Sequence, residues 1–265
     1  MEQKVFKTYA NGIDFYCELR GSGPKVVLVP DGTNDCGTYG KLADYLADEF
    51  TVLTFDMRGG TRSMDDNPQK VTPKLLADDV AAIMKALDFA PASVFGCSSG
   101  GQAVLSLGKY YPELARNIMV HEAALQSDAP IANTGYELGK TLFTFAKYCT
   151  GGINPGIMTM VCNADRYMEL DEDCRQRMAQ NGVFWGQWYL GTVDTDSYTA
   201  EDFSRMPPTS FTVGAWSYAW VVYANIETAK RGNCPVTWIN SAHLPNISCP
   251  EEYAKYLKET IKKYL

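Results

Sequence analysis

Apolar residues recur along the chain with two periods, and the switches between them predict an alternation of strands and helices. Residues 5–9 and 13–19 flank Asn11-Gly12, a two-residue hairpin signal. Residues 25–29 form an unbroken apolar run, as expected of a strand buried on both faces. Further strands are predicted at 51–55, at Val94-Phe95, at 118–120, at 209–214 and at 236–239. Helical spacing occupies 38–46, 73–87, 102–110, 221–230 and 251–265, with Pro73 suited to a first turn. Strands that alternate with helices predict a mostly parallel sheet covered on both faces, an α/β fold.

The pattern changes between 126 and 206. Helix-like pieces at 137–148 and 171–188 are broken by Gly151-Gly152 and Asn154-Pro155-Gly156, and a polar link over 194–202 leads back. No convincing central strand occurs there. The expected organisation is a core made of 1–125 and 207–265, with a mostly helical cap inserted at 126–206. The length of 265 residues, with 46% hydrophobic and 21% charged, suits one large domain carrying an insertion.

The elements converge on Ser93-Val94-Phe95-Gly96-Cys97-Ser98-Ser99-Gly100-Gly101. Gly96-x-Ser98-x-Gly100 between a strand and a helix is the nucleophile-elbow pattern, a turn tight enough to need glycines on either side of an exposed hydroxyl. This turn points to the α/β-hydrolase fold. A serine hydroxyl at neutral pH needs a base. The chain has two histidines. His243 lies in the loop after the last predicted strand, in the chain order serine, acid, histidine that this fold uses. His121 ends the strand at 118–120; it could orient the acid, line the pocket or serve structure alone. The strand at 209–214 runs into Ala215-Trp216-Ser217 without the carboxylate that often stands there, which leaves Glu122, one strand earlier, as the acid. Gly32, in the loop after residues 25–29, is the candidate oxyanion donor. The turn Asp56-Met57-Arg58-Gly59 is expected to be structural.

The net charge of -7 with no Lys/Arg cluster argues against nucleic acid as a partner. No apolar run reaches bilayer length, and Met1-Glu2-Gln3-Lys4 lacks a signal-peptide core, so no membrane role and a cytoplasmic location are expected. Eight dispersed cysteines, with no CxxC pair and no histidine at metal spacing, are expected to be reduced and mostly buried, with no metal or other cofactor. Cys97 is read as packing.

Val27-Leu28-Val29-Pro30-Asp31-Gly32, Thr54-Phe55-Asp56-Met57, Gly96-Cys97-Ser98-Ser99-Gly100, Arg116-Asn117, His121-Glu122 and His243 together resemble the zearalenone lactonases, α/β-hydrolases that open a resorcylic macrolactone. The resemblance covers roughly 5–125 and 207–265. It implies a Ser98–His243–Glu122 triad, oxyanion donors on the N–H groups of Gly32 and Ser99, and substrate contacts from Asp31, Trp185 and Tyr189. The last two are four apart, on one helical face. Leu190 and Arg58 stand where the family has prolines. The activity implied is hydrolysis of a small-molecule ester or lactone, with association into a homodimer left open. A small-molecule receptor with weak hydrolysis, a peptidase or a C–C bond hydrolase share the same turns and remain alternatives.

Overall fold

The computed structural model describes residues 3–125, 137, 141, 164–193 and 195–265. Eight strands form one sheet: β1 (Gln3–Ala10), β2 (Ile13–Arg20), β3 (Lys25–Val29), β4 (Thr51–Phe55), β5 (Ala92–Cys97), β6 (Ala115–His121), β7 (Thr209–Gly214) and β8 (Val236–Ile239). Their spatial order is β1-β2-β4-β3-β5-β6-β7-β8. The β1–β2 and β2–β4 pairs are antiparallel and the rest are parallel. Asn11 and Gly12 take positive φ (42° and 89°), as a tight hairpin turn requires.

Alternation along the strands feeds two apolar layers. Val27, Val29, Leu53, Phe55 and Val94 face one side, against α2 (Pro73–Ala86) and α3 (Ser99–Tyr110). Val26, Leu28, Val52 and Phe95 face the other, against α1 (Gly40–Leu46) and the Pro250–Lys262 helix. Each such fully buried side chain contributes roughly 1.5–3 kcal/mol. The expected parallel core is therefore present, covered on both faces.

Three local differences have physical causes. Strand β6 begins at Ala115 rather than near Ile118, and the Oδ1 of buried Asn117 accepts from the Ser93 hydroxyl of β5 at 2.6 Å, which lets a polar side chain sit in the strand interior. The stretch expected as a plain polar link contains the start of a helix, Ala200–Arg205. Thr199 and Asp202 cap it reciprocally, each side chain accepting from the other's backbone N–H. Asp171 caps the Glu172–Trp188 helix through the Cys174 N–H instead of lying inside it. Between β6 and β7 the described residues add helices and no strand to the sheet. The glycine breaks at 151–156 and most of the 137–148 piece lie outside the described residues. No helix among the described residues is long and apolar enough to cross a membrane.

The Asp56–Ser63 turn has the structural role expected of it. Arg58 is buried and pairs with Asp79 at 2.6 Å and Asp65 at 2.8 Å. Arg62 pairs with Asp56 at 2.7 Å and Asp35 at 2.9 Å.

The elbow glycines are fixed by close approach. A Cβ on Gly96 would lie 2.1 Å from the Gly100 carbonyl oxygen, and one on Gly100 would lie 2.3 Å from that of Pro30. Gly100→Ala should therefore lower the unfolding free energy by about 1–3 kcal/mol, read from denaturant titration; an unchanged midpoint would contradict this packing.

Candidate active site

The loops leaving the carboxyl ends of β3, β5, β6 and β8 meet on one edge of the sheet, where parallel strands gather working groups. Ser98 sits between β5 and α3 with φ 53° and ψ -118°, a left-handed backbone that costs on the order of 1–3 kcal/mol. Three hydrogen bonds hold it there. Its N–H donates to the His121 carbonyl at 3.1 Å, and its own carbonyl accepts from the N–H groups of Gln102 and Ala124, both at 3.1 Å. Ser99 opens α3, so its N–H belongs to the first helical turn, which has no intrahelical acceptor. Ser98, Gly32 and His243 are half-buried, whereas Asp31, Ser99 and Glu122 are buried.

Glu122 also has positive φ, 43°. The bend turns its carboxylate into the space beyond β7. There Oε1 accepts from the Gly214 N–H at 2.7 Å, and Oε2 accepts from the Ser217 hydroxyl at 2.8 Å. His243 Nδ1 lies 2.7 Å from the same Oε2. With the proton on Nδ1 facing the carboxylate, Nε2 is the basic nitrogen. Burial alone would push the Glu122 carboxyl up; the imidazoles of His121 and His243 and the Gly214 N–H outweigh it and hold the group below its usual range.

Strand β7 thus supplies no acid, as its sequence indicated, but it does supply the receptor for one. Gly214 and Ser217, at the place where this fold often carries a carboxylate, are donors to Glu122. Ser217 was not singled out from the sequence; the signal available was the missing carboxylate beside it.

The Cys97 thiol donates to the His243 carbonyl at 3.2 Å and ties the histidine loop to the elbow. Burial, and then the nearby Asp31 and Glu122 charges, push this thiol well above its ordinary value, so it stays protonated. Cys97 therefore has a tethering contact as well as the packing role expected.

Trp185, on the Glu172–Trp188 helix, reaches the same place. Its indole N–H donates to Ser99 Oγ at 3.3 Å, and a Cβ on Gly32 would meet its Nε1 at 2.8 Å. Two other expected substrate contacts do not reach open surface. Tyr189 is fully buried, stacked on Trp185 with centroids 6.5 Å apart, and its hydroxyl donates to the Arg58 carbonyl at 2.7 Å. It backs Trp185 because that carbonyl claims its polar end. Asp31 is 2% exposed, and its carboxylate accepts from the Thr33 N–H at 2.9 Å and the Tyr39 hydroxyl at 3.3 Å. These bonds shape the loop that presents Gly32.

The sheet order and the strand-turn-helix elbow place the chain among the α/β-hydrolases. A family profile described as alpha/beta hydrolase fold matches residues 25–149. A thermophilic esterase from Thermogutta terrifontis superposes with a TM-score of 0.77 over 98% of this chain and 99% of its own, at 18% identity. A zearalenone hydrolase from Cladophialophora bantiana is 34% identical over 96% of this chain and 95% of its own length. A second zearalenone hydrolase, from Bionectria ochroleuca, is 32% identical over 96% of both. The chain belongs to the zearalenone hydrolase family and is a hydrolase of ester or lactone bonds.

His121 gives a pH prediction. Burial, against the Glu122 charge, drives its pKa from 6.5 to about 4. Between these values the unfolded chain binds a proton that the folded chain refuses. The stability contribution is thus complete above pH 6.5 and lost as pH falls toward 4. Unfolding free energy should drop by roughly 2–4 kcal/mol across that window, and a His121→Gln variant should show a flatter slope; an identical slope in both proteins would contradict the buried neutral imidazole.

Proposed function

We propose that this enzyme opens the ring ester of zearalenone or a related resorcylic macrolactone through a Ser98–His243–Glu122 triad. His243 Nε2 takes the Ser98 proton as Oγ attacks the lactone carbonyl. The N–H groups of Gly32 and Ser99 receive the oxyanion, each worth about 3 kcal/mol of barrier. Collapse breaks the ring C–O bond, and His243 returns the proton to the departing alkoxide, which stays attached through the rest of the opened ring. Water, deprotonated by the same imidazole, then releases the acid and regenerates Ser98. The observation that carries this reading is the 2.7 Å contact between His243 Nδ1 and Glu122 Oε2, one strand away from a strained serine at a helix N-terminus.

Two further features support it. The two zearalenone hydrolases match essentially the whole chain, including the region between β6 and β7. Trp185 gives the oxyanion side a flat, half-buried aromatic wall with a donor at its edge, suited to a resorcylic ring. Residues 126–206 act as the cap that selects the substrate, over a core of 1–125 and 207–265. The six cysteines among the described residues are free, which fits a reducing cytoplasmic compartment.

Ser98→Ala and His243→Ala should each lower kcat by about 10⁴-fold or more on zearalenone and on a simple aryl ester, and Glu122→Gln by about 10³–10⁴-fold. Near wild-type turnover by Ser98→Ala would end this mechanism. Trp185→Ala should raise KM for the macrolactone by about tenfold while changing KM for a small acetate ester little; equal effects on both would remove Trp185 from the substrate wall.

A further inference from the structure

Beside Glu122, facing the same carboxylate oxygen as His243, lies the chain's other histidine. His121 ends β6 with no exposed surface. Its Nδ1 is 2.8 Å from Thr212 Oγ1 on β7. That hydroxyl is in turn 2.8 Å from the hydroxyl of Tyr253 on the Pro250–Lys262 helix and 3.2 Å from the Val120 carbonyl. The Tyr253 ring stands edge-on to the imidazole, 5.6 Å between centroids. Among the described residues His121 Nε2 has no side-chain hydrogen-bond partner; it faces Glu122 Oε2 at 3.9 Å, and the Ala242 backbone carbonyl, in the loop before His243, also bears on the ring and favours a proton there.

Proton counting leaves two arrangements, with the one Thr212 proton given either to Nδ1 at 2.8 Å or to the Val120 carbonyl at 3.2 Å, and the Glu122 charge decides between them. The threonine has one proton and three polar neighbours, and the imidazole nitrogen is nearer than the Val120 carbonyl. If Thr212 donates to Nδ1, Tyr253 donates to Thr212, and the imidazole proton sits on Nε2, pointing at the carboxylate. In the opposite tautomer Nδ1 would donate to Thr212, and a bare Nε2 lone pair would face a buried carboxylate across 3.9 Å. In a low-dielectric interior that repulsion is large, so the first arrangement wins.

We propose, on the reading of Glu122 as the acid, that His121 is a positioning residue. It is a neutral imidazole, locked by the Thr212 and Tyr253 hydroxyls as the Nε2–H tautomer, whose N–H dipole keeps the Glu122 carboxylate charged and seated for His243. At 3.9 Å the contact is an oriented dipole rather than a hydrogen bond. It adds to the two donors from the β7 end and opposes the cost of burying the charge. The titratable groups facing His121 are Glu122 and His243 on the acid side, Tyr253 from the C-terminal helix, and Cys97, its neighbour across the β5–β6 pairing. Asp31 lies beyond Cys97 and His243. None of these presents a second base that could take the Nε2 proton in preference to Glu122. The downward displacement of the His121 pKa agrees with a ring that stays neutral during turnover.

The chain holds two histidines, so the test is direct. Long-range proton–nitrogen spectra of uniformly labelled protein resolve both rings, and His243→Ala assigns them. The expected result is a His121 ring protonated on Nε2 only, with no change from pH 8 down to about 5. A ring protonated on Nδ1, or one that titrates near its ordinary value, overturns the proposal. The functional counterpart is the pH profile on an aryl ester. Without the facing N–H, the carboxylate binds the shared His243 proton more tightly. His121→Phe should therefore move the acid limb of kcat/KM up by about half a unit or more and lower kcat about 3–10-fold, with KM little changed. His121→Gln, whose amide restores a donor, should recover most of the shift. A folded His121→Phe enzyme with an unmoved acid limb refutes the role, and it does so while an inactive Ser98→Ala keeps the triad reading intact. An active Ser98→Ala would sink the triad reading instead, and the tautomer spectra would still decide His121. If His121→Phe fails to fold, Thr212→Val replaces it: losing the relay hydroxyl should shift the acid limb in the same direction, and an unchanged limb counts against the proposal equally.

Discussion

A carboxylate with no exposed surface holds an imidazole at 2.7 Å, and most of the site is arranged around the cost of keeping that charge dry. Removing a carboxylate from water costs several kcal/mol even after relaxation. Here the cost is offset by the Gly214 N–H, the Ser217 hydroxyl, the His243 Nδ1–H and, in the account given above, the His121 N–H. Three of these donors come from other strands, so the charge also acts as a clasp among β6, β7 and the loop after β8. Losing Gly214, Ser217 or His121 as a donor leaves the others in place, which is why single losses among these three are expected to tune the site before they abolish it.

The same edge of the sheet stores backbone strain at two non-glycine residues, Ser98 and Glu122. They are coupled, since the Ser98 N–H hydrogen-bonds the carbonyl of His121, the residue before Glu122. Ser98 and Glu122 are thereby fixed relative to each other by main chain rather than by flexible side chains. The loop after β3 is fixed by the Glu172–Trp188 helix. Arg177 forms an ion pair with buried Asp35, which also pairs with Arg62. Asn181 donates to the Thr33 carbonyl at 2.8 Å and accepts from the Thr61 N–H at 2.8 Å. These contacts clamp the Glu172–Trp188 helix onto the loop after β3, and Trp185 is set against Gly32 as a consequence.

The sheet and the elbow could be read from the chain because they rest on local signals: an apolar run, a turn dipeptide, glycines at fixed offsets. Strands β7 and β8 occur at the residues predicted for this reason. Glu122 could be picked out only by default, from the lack of an acid after β7. What could not be read was how that carboxylate is received, because Gly214 and Ser217 meet Glu122, and Thr212 meets His121, only once β6 and β7 pair across 91 or more residues of sequence. Tyr189 shows the limit of spacing from the other side. Helical spacing placed it beside Trp185 correctly, but spacing carries no information about which carbonyl would claim its hydroxyl. Asn117 reads as a strand breaker because its carbonyl oxygen meets the Ser93 hydroxyl only in the fold, whereas the Thr199–Asp202 capping box was a local signal present in the chain.

The most direct test of the central contact is the far-downfield proton spectrum, where an imidazole N–H held by a carboxylate resonates apart from all amides. The account predicts one such resonance from His243 Nδ1–H, present in the native protein and in Ser98→Ala and lost in Glu122→Gln. Its absence from the native protein, or its survival in Glu122→Gln, would contradict the claim that this glutamate is what holds the histidine.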